Sequence, residues 1–330
     1  MTTAQPVRIG ILGAAKVVPY GLTLPALRVP EVRVTATAAR NPRRANRFAR
    51  LNFIPRVHRT YDDLLADPEI DAVYVPLPNG LHAEWTIKAL RAGKHVLCEK
   101  PFSANAREAE EMARVARENG LVLSEAFAYR NHPLAARLRE IVQGGELGRI
   151  RHIEARFRFL LLNFSNVRWR YDLAGGALMD AGCYPLSLVR FLTGEEPAVR
   201  SARARLLRPQ VDSRTEAELD FPSGATARIV CDILSPRLFD SFLRVQGETG
   251  ELRVLGPFQP HWFHWVTLRT ATGTRRGRVR GGNAYALQLR NFARAIREGA
   301  PLSTNPNDAV NNMRLIDSIY RAAGLSPRGV

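Results

Sequence analysis

Cysteine is scarce in this sequence: Cys98, Cys183 and Cys231 are the only three in 330 residues, far apart and without a Cys-x-x-Cys pair. That spacing provides neither a disulfide framework nor a zinc-ligand set, so no metal is expected and a reduced, cytoplasmic protein is. No apolar run approaches the roughly 18 residues of a membrane span, and the first apolar stretch, entered by Val7, follows no basic region or cleavage site. Neither secretion nor a membrane partner is expected. Low-complexity tracts and internal repeats are also missing, which argues against disorder and solenoids. Lysine is nearly absent as well: Lys16, Lys88, Lys94 and Lys100 stand against 44 arginines (48 minus 4), for a net charge of +17. Those arginines are scattered rather than gathered into a basic arm, and no helix-turn-helix, zinc-finger or RNA-recognition pattern accompanies them. Nucleic acid is not an expected partner, whereas attraction of small anions is.

The length exceeds the roughly 250 to 300 residues at which single cores stop growing, so two domains are expected. Val7 to Leu12 reads as a strand, and Gly13-Ala14-Ala15-Lys16-Val17-Val18 as a small-residue turn into a helical segment running toward Leu27. A dinucleotide fold needs such a turn, because backbone N–H groups and a helix N-terminus must face a pyrophosphate. Against G-x-G-x-x-G, Ala15 replaces the second glycine and Val18 the third. The second strand, Val32 to Ala39, runs into Arg40-Asn41-Pro42-Arg43-Arg44. An acid at its end would accept from a ribose 2′-hydroxyl; a basic residue accommodates a 2′-phosphate instead. Arg40, directly at the strand end, is the favoured contact, while at least one of Arg43 and Arg44 simply opens a solvated helix.

Asp71 to Val75 reads as the third strand, followed by Pro78-Asn79 and His82 and by an amphipathic helix, Ala83 to Ala92, stopped at Gly93. Taken alone, Asn79 reads as a helix cap and His82 as an ordinary first-turn histidine. Then comes Lys94 to Phe102, KHVLCEKPF, in which a short apolar strand ends on Glu99, Lys100 and Pro101. Proline prevents continuation into the ladder and holds Lys100 extended at the strand's end. In open α/β sheets that edge is where ligands bind. A helix from Asn105 to Asn119 and a strand from Leu121 to Ala126 complete a repeated β-α pattern.

After residue 126 the pattern changes. Leu134 to Val142 reads as a helix, and strand-like alternation dominates from Ile150, with turns at Pro222-Ser223-Gly224 and Glu248-Thr249-Gly250. Helices from about Ala284 to Glu298 and Asn307 to Ala323 close the chain. One stretch is exceptional: Gly175-Gly176-Ala177-Leu178-Met179-Asp180-Ala181-Gly182-Cys183-Tyr184-Pro185. Helical geometry would put Asp180 and Tyr184 on one face. Pro185 implies that a helix starts near it or is kinked, and the sequence leaves both open.

Together these motifs resemble the glucose-fructose oxidoreductase and inositol dehydrogenase family, Gfo/Idh/MocA. The resemblance rests on Pro78-Asn79 with His82, Ala92-Gly93-Lys94-His95-Val96 and Glu99-Lys100-Pro101, on Gly175-Gly176, Asp180, Gly182 and Tyr184, and on Glu125-Ala126-Phe127, Tyr129-Arg130, His132-Pro133 and Asn312 to Asp317. It implies a Rossmann nucleotide-binding domain over residues 1–126. Residues 127–330 would form an α+β substrate and oligomerisation domain with a large, mostly antiparallel open sheet, the last helices packing back on the first domain. A homodimer or homotetramer is implied. Tyr184, where many relatives carry histidine, points to the subgroup resembling dimeric trans-dihydrodiol and D-xylose dehydrogenases.

The resemblance further implies NADP, with NAD as the alternative, held by Gly13, Ala14, Ala15, Lys16, Val17, Arg40, Pro78, Asn79, His82, Glu99 and Lys100. Lys100, Asp180 and Tyr184 become the catalytic residues, with Tyr129 and Arg130 joining Asp180 and Tyr184 on the substrate. Lys100 would sit by the nicotinamide, ahead of a cis proline. The implied reaction is reversible hydride transfer at an alcohol or carbonyl carbon of a cyclic sugar, polyol or dihydrodiol. Tyrosine and lysine both titrate near ~10 unperturbed, and a nearby ammonium favours the phenolate. Rival readings are a glycoside hydrolase using transient oxidation by NAD and a non-catalytic nucleotide sensor.

Overall fold

A computed structural model describes residues 5–329 as two compact units. The first runs to Asn131 and takes in Tyr285–Val310; the second holds His132–Ala284 and the chain from Asn311 onward. A single cut at 126/127 therefore falls short of the structural division, which the chain crosses three times. The physical reason lies in the helix Ala284–Glu298. Its Leu289, Phe292 and Ala293 are buried in one apolar cluster with Val7, Ile9, Ile11 and Leu22. Burying each large side chain of that stripe contributes about 1.5–3 kcal/mol, which fixes the helix to the first unit.

The first unit is built on six parallel strands, β1 (Val7–Leu12), β2 (Val32–Ala38), β3 (Arg56–His58), β4 (Ala72–Val75), β5 (His95–Cys98) and β6 (Leu123–Glu125), in the order β3-β2-β1-β4-β5-β6. This is the doubly wound arrangement, and the order reverses between β1 and β4. β3 is absent from the sequence reading, which makes Asp71 to Val75 the third strand; it is the fourth. Strong local signals set the helices. Asn41 accepts from Arg44 N ahead of Pro42–Leu51, a Thr60/Asp63 capping box opens Tyr61–Ala66, and Asn105 accepts from Glu108 N ahead of Ala106–Glu118.

The second unit carries an eight-stranded sheet: β7 (Ile150–Leu160), β8 (Ala198–Arg208), β9 (Val211–Asp220), β10 (Thr226–Asp232), β11 (Leu234–Gly247), β12 (Glu251–Leu255), β13 (Trp265–Thr270) and β14 (Gly273–Gly277). The order is β14-β13-β12-β11-β7-β10-β9-β8, and only the β10–β7 pair is parallel. Alternation on β7 buries Ile153, Ala155 and Phe157 and leaves Glu154, Arg156 and Arg158 on the other face. The arginines there are interleaved with acids: Asp240 takes Arg156 and Arg158, Glu216 takes Arg214 and Arg228, and Glu251 takes Arg244 and Arg253. On this face arginines are thus paired in mixed-sign ladders. No described helix is long and apolar enough to cross a membrane.

Candidate active site

In the first unit the motif residues gather at the carboxyl ends of the parallel strands. Gly13 follows β1, its amide donating to Ala38 O at the end of β2 (2.7 Å). Its φ of +105° suits glycine, and a Cβ there would stand 3.0 Å from Leu77 Cδ2. Ala14, Ala15 and Val17 are half-buried and Lys16 is exposed, so the turn's backbone remains accessible. Val18, at the third glycine position, is fully buried in the core. The helix after it opens on a widened turn, Pro19–Thr23, whose Leu22 packs with Val18 in the cluster under β1.

At the end of β2, Arg40 and Arg43 are exposed, and Arg44 folds back so that Nη2 donates to Ala14 O (2.8 Å). Sequence reasoning favours Arg40 and leaves one of Arg43 and Arg44 open as a contact; the helical position of Arg44 carries it onto the turn after β1. Tyr61 is a second omission: its hydroxyl would lie 3.6 Å from a Gly13 Cβ. Burial pushes its pKa up, and the Arg40 and Arg44 charges partly offset this. The capping box before Tyr61 was the available signal.

After β4, Pro78 precedes the short turn Asn79–Leu81, so Pro78, not Asn79, occupies the cap position. His82 is completely buried, with Nδ1 2.8 Å from Pro101 O and Nε2 2.8 Å from Leu77 O. It has no accessible atom with which to touch a cofactor; instead it ties the loop after β4 to the loop after β5. Burial lowers its pKa to about 4, so the neutral ring donates to one of the two carbonyls and only abuts the other.

After β5, Glu99 N bonds to Val75 O (3.1 Å), and Glu99 Oε1 accepts from Tyr74 Oη at 2.5 Å. Lys100 N donates to Glu99 Oε2 (3.3 Å), and the Lys100–Pro101 peptide is cis. The Lys100 side chain is half-buried. Lys94, by contrast, is structural, its Nζ donating to Asp67 O and Ile70 O at 2.8 Å each. Burial also raises the Cys98 thiol well above its ordinary pKa, which disfavours a thiolate.

Past β6, Tyr129 is buried against Phe127 (centroids 5.7 Å apart). Arg130 is buried too, its guanidinium reaching Ser303 O (2.8 Å) and Asp308 (3.3 Å). Those contacts give Arg130 a structural task, fastening the 303–308 segment. Asn131 accepts from Asn291 Nδ2 (2.9 Å). A cavity of about 360 Å³ in this unit is lined by small apolar residues such as Ala116, Val122, Ala295 and Leu302, and by none of the motif residues.

In the second unit, Leu178–Gly182 forms a widened helical turn that passes into the helix Cys183–Thr193. Gly182 is itself in the right-handed helical region, so the helical run is continuous from Leu178 and Pro185 falls inside it, its missing N–H coming just after the widened turn; the segment is one helix with a local widening, not two. Asp180 is buried, and Arg168 Nε donates to its Oδ2 at 2.6 Å. Tyr184 is half-buried in an aromatic group, 5.2 Å from Phe157 and 5.5 Å from Phe258 between centroids. Arg168 was missed by the sequence reading. Nothing local marks it among 44 arginines; only the fold brings it to Asp180.

One family match falls in each unit. Residues 7–127 match the oxidoreductase family with NAD-binding Rossmann fold, GFO_IDH_MocA, and residues 135–253 match a GFO/IDH/MocA C-terminal domain. The chain belongs to the GFO/IDH/MocA oxidoreductase family. A D-xylose 1-dehydrogenase (NADP(+)) of Haloferax volcanii is 37% identical over 95% of this chain and 96% of its own. The trans-1,2-dihydrobenzene-1,2-diol dehydrogenase of Sus scrofa is 34% identical over 69% of this chain and 67% of its own. Among solved structures, a 3-ketoreductase from Actinomadura kijaniata in complex with NADP and TDP-benzene superposes with a TM-score of 0.89. It is 30% identical, with coverage of 96% of this chain and 98% of that one. The subgroup implied by Tyr184 is thus represented among the relatives.

Proposed function

We propose that this protein is an NADP-dependent dehydrogenase or reductase that interconverts an alcohol and a carbonyl carbon of a cyclic sugar. The observation that carries the reading is the setting of the β1 turn, where an accessible backbone lies beside Arg40 and Arg44 with no acid closing β2. Gly13 supplies the close approach that a pyrophosphate needs, and the two guanidiniums supply charge for a 2′-phosphate. Ala14, Ala15, Lys16 and Val17 would bind through the turn, with Pro78, Asn79 and Glu99 at the neighbouring strand ends. NADP, when bound, supplies or accepts the hydride. Lys100 polarises the reacting oxygen, Tyr184 holds or gives its proton, and Asp180 orients substrate together with Tyr129, while Arg130 keeps to its structural contacts.

D-xylose and the keto-sugar class are the first substrates to try, because of the relatives named above. The test is a panel of aldoses, dTDP-keto-sugars and dihydrodiols with NADP(H) and NAD(H), followed by absorbance at the nicotinamide band. Substrate-dependent change with NADP(H) is expected. Net-redox-neutral glycoside cleavage without added cofactor, or nucleotide binding with no turnover of any compound, would replace the reading with a hydrolase or a sensor.

A homodimer, with a tetramer as the alternative, is also proposed, formed through the second unit's sheet. Its outer face offers both signs of charge in alternation, which a two-fold-related copy can match. Light scattering showing a monomer at micromolar concentration would remove this part.

A further inference from the structure

We propose that Arg328, acting with Asp212, is a positioning residue for the segment Gly175–Tyr184. This rests on the reading of Asp180 and Tyr184 as catalytic. Both Arg328 and Asp212 are fully buried, with Nη2 and Oδ1 2.9 Å apart. A buried ion pair is by itself poor evidence of a stabilising role, since desolvation offsets much of the attraction and apolar side chains often serve as well. What an apolar pair could not do is hold polar atoms.

This pair holds two backbone groups of the active-site segment. Arg328 Nε donates to Gly175 O (2.8 Å), and Asp212 Oδ2 accepts from Leu178 N (2.7 Å). Asp212 is completed by Thr215 Oγ1 (2.8 Å) and Tyr320 Oη (3.0 Å). The guanidinium lies 4.0 Å from the Tyr320 ring centroid, and Arg328 Nη1 donates to Ser326 O (3.2 Å). Between the two gripped groups Gly176 takes φ +134°, where an added Cβ would stand 2.1 Å from Asp212 Oδ1. The network therefore requires the second glycine of the pair. Gly176 O in turn accepts from Asp180 N (3.0 Å), so the chain of contacts runs from Arg328 to the backbone of Asp180. Arg168 then fixes the carboxylate of Asp180.

The experiment compares Arg328→Met, Arg328→Lys and Tyr320→Phe with Tyr184→Phe on the best substrate of the panel. It records kcat and KM across pH, NADPH affinity by fluorescence titration, and amide exchange over residues 175–184. Arg328→Met should lower kcat roughly 10- to 100-fold, the usual cost of a misplacement near 1 Å. Its kcat–pH profile should shift while NADPH affinity stays within about threefold of wild type. Exchange should quicken in this segment ahead of the rest of the unit. Arg328→Lys should recover part of kcat, because it keeps the charge at Asp212 but cannot also reach Gly175 O. A folded Arg328→Met with wild-type kcat and pH profile overturns the proposal, as does a loss shared equally by kcat and NADPH binding. Should Arg328→Met fail to fold, Arg328→Lys and Tyr320→Phe decide: wild-type kcat in both overturns it, and reduced kcat with intact NADPH binding in either supports it. If Tyr184→Phe keeps wild-type kcat, the catalytic reading fails and takes the proposal with it. If only the Arg328 variants keep it, the positioning role alone is wrong.

Discussion

Arg168 Nε and Asp180 Oδ2 lie 2.6 Å apart, with the carboxylate buried and the guanidinium partly in solvent. A buried carboxylate deprived of a partner costs several kcal/mol in a dry site, but exposure of Arg168 reduces this to about 1–2 kcal/mol. Arg168→Leu should therefore lower the melting temperature by a few degrees and kcat by about tenfold. Arg168→Lys should recover much of the stability and less of the rate, because a lysine lacks the directional fork. Thermal melts beside initial rates check both; unchanged kcat in Arg168→Leu would mean that Asp180 is oriented by other contacts.

The contact of Arg44 Nη2 with Ala14 O places a second guanidinium at the turn after β1, beside the one the sequence favoured. If both guanidiniums meet the 2′-phosphate, each charge-assisted bond contributes about 1.5–3 kcal/mol, or roughly 10- to 100-fold in affinity. Arg40→Ala and Arg44→Ala should each weaken NADPH by that amount and leave NADH nearly unchanged. Arg40→Asp should reverse the preference, since it adds a ribose acceptor while repelling phosphate. Fluorescence titration with both cofactors separates the cases, and an unaltered NADPH:NADH ratio in both alanine variants would place the phosphate elsewhere.

The place of Lys100 at a strand's end was legible because a strand followed by proline leaves few conformations for the residue between them, and the parallel strands end on one sheet edge. The eight-stranded sheet was legible in outline from alternation on β7, β9 and β10. β3 was not, since Arg56–His58 is three half-buried residues with no alternation to detect. His82 reads as a cofactor contact in its motif, yet its burial is set by two carbonyls, of Leu77 and Pro101, that only the folded loops bring to it. Arg130, Arg168 and Arg328 share the same difficulty. Each matters through a partner that only the fold brings to it, even where, as for Arg168 and Asp180, the two are just 12 positions apart, and one arginine among 44 carries no local sign of that.

Histidine burial makes a prediction about acid stability. His82 has its pKa lowered to about 4 by burial, so the folded state resists a proton that the unfolded chain accepts near ~6.5. The contribution is fully present above pH 6.5 and is lost as pH falls from there toward 4. His132, buried beside His264 and His261, is likewise lowered to about 4 and adds in the same direction. Wild-type stability should fall between pH 6.5 and 5, before most carboxylates titrate. In His82→Asn the slope should be shallower by up to about 1.4 kcal/mol per pH unit, one proton's worth. Urea melts at half-unit steps measure this, and an equal slope in the variant would show that His82 titrates in the folded protein as it does in the unfolded chain. The same variant should weaken NADPH binding severalfold, because the loop after β4 loses its tie to Pro101.

Lys100 and Tyr184 lie in different units of the chain, and if they serve one reacting oxygen their loss must be coupled. Lys100→Met and Tyr184→Phe should each lower kcat by about 10² to 10⁴, the range usual for lost acid–base help, with NADPH affinity little changed. Once either group is gone the other has no proton relay left to assist, so the double variant should be hardly slower than the worse single one. Two groups that acted independently would instead multiply their effects. The pH–rate profile in the oxidative direction adds a second discriminant: one basic-side group should vanish in Tyr184→Phe, while Tyr184→His should retain some activity with its profile moved toward neutral pH. Phe157 and Phe258 pack on the ring that Tyr184→Phe retains, so the variant removes the hydroxyl without disturbing the aromatic group. Wild-type kcat across the pH range in a folded Tyr184→Phe would assign the proton to another residue.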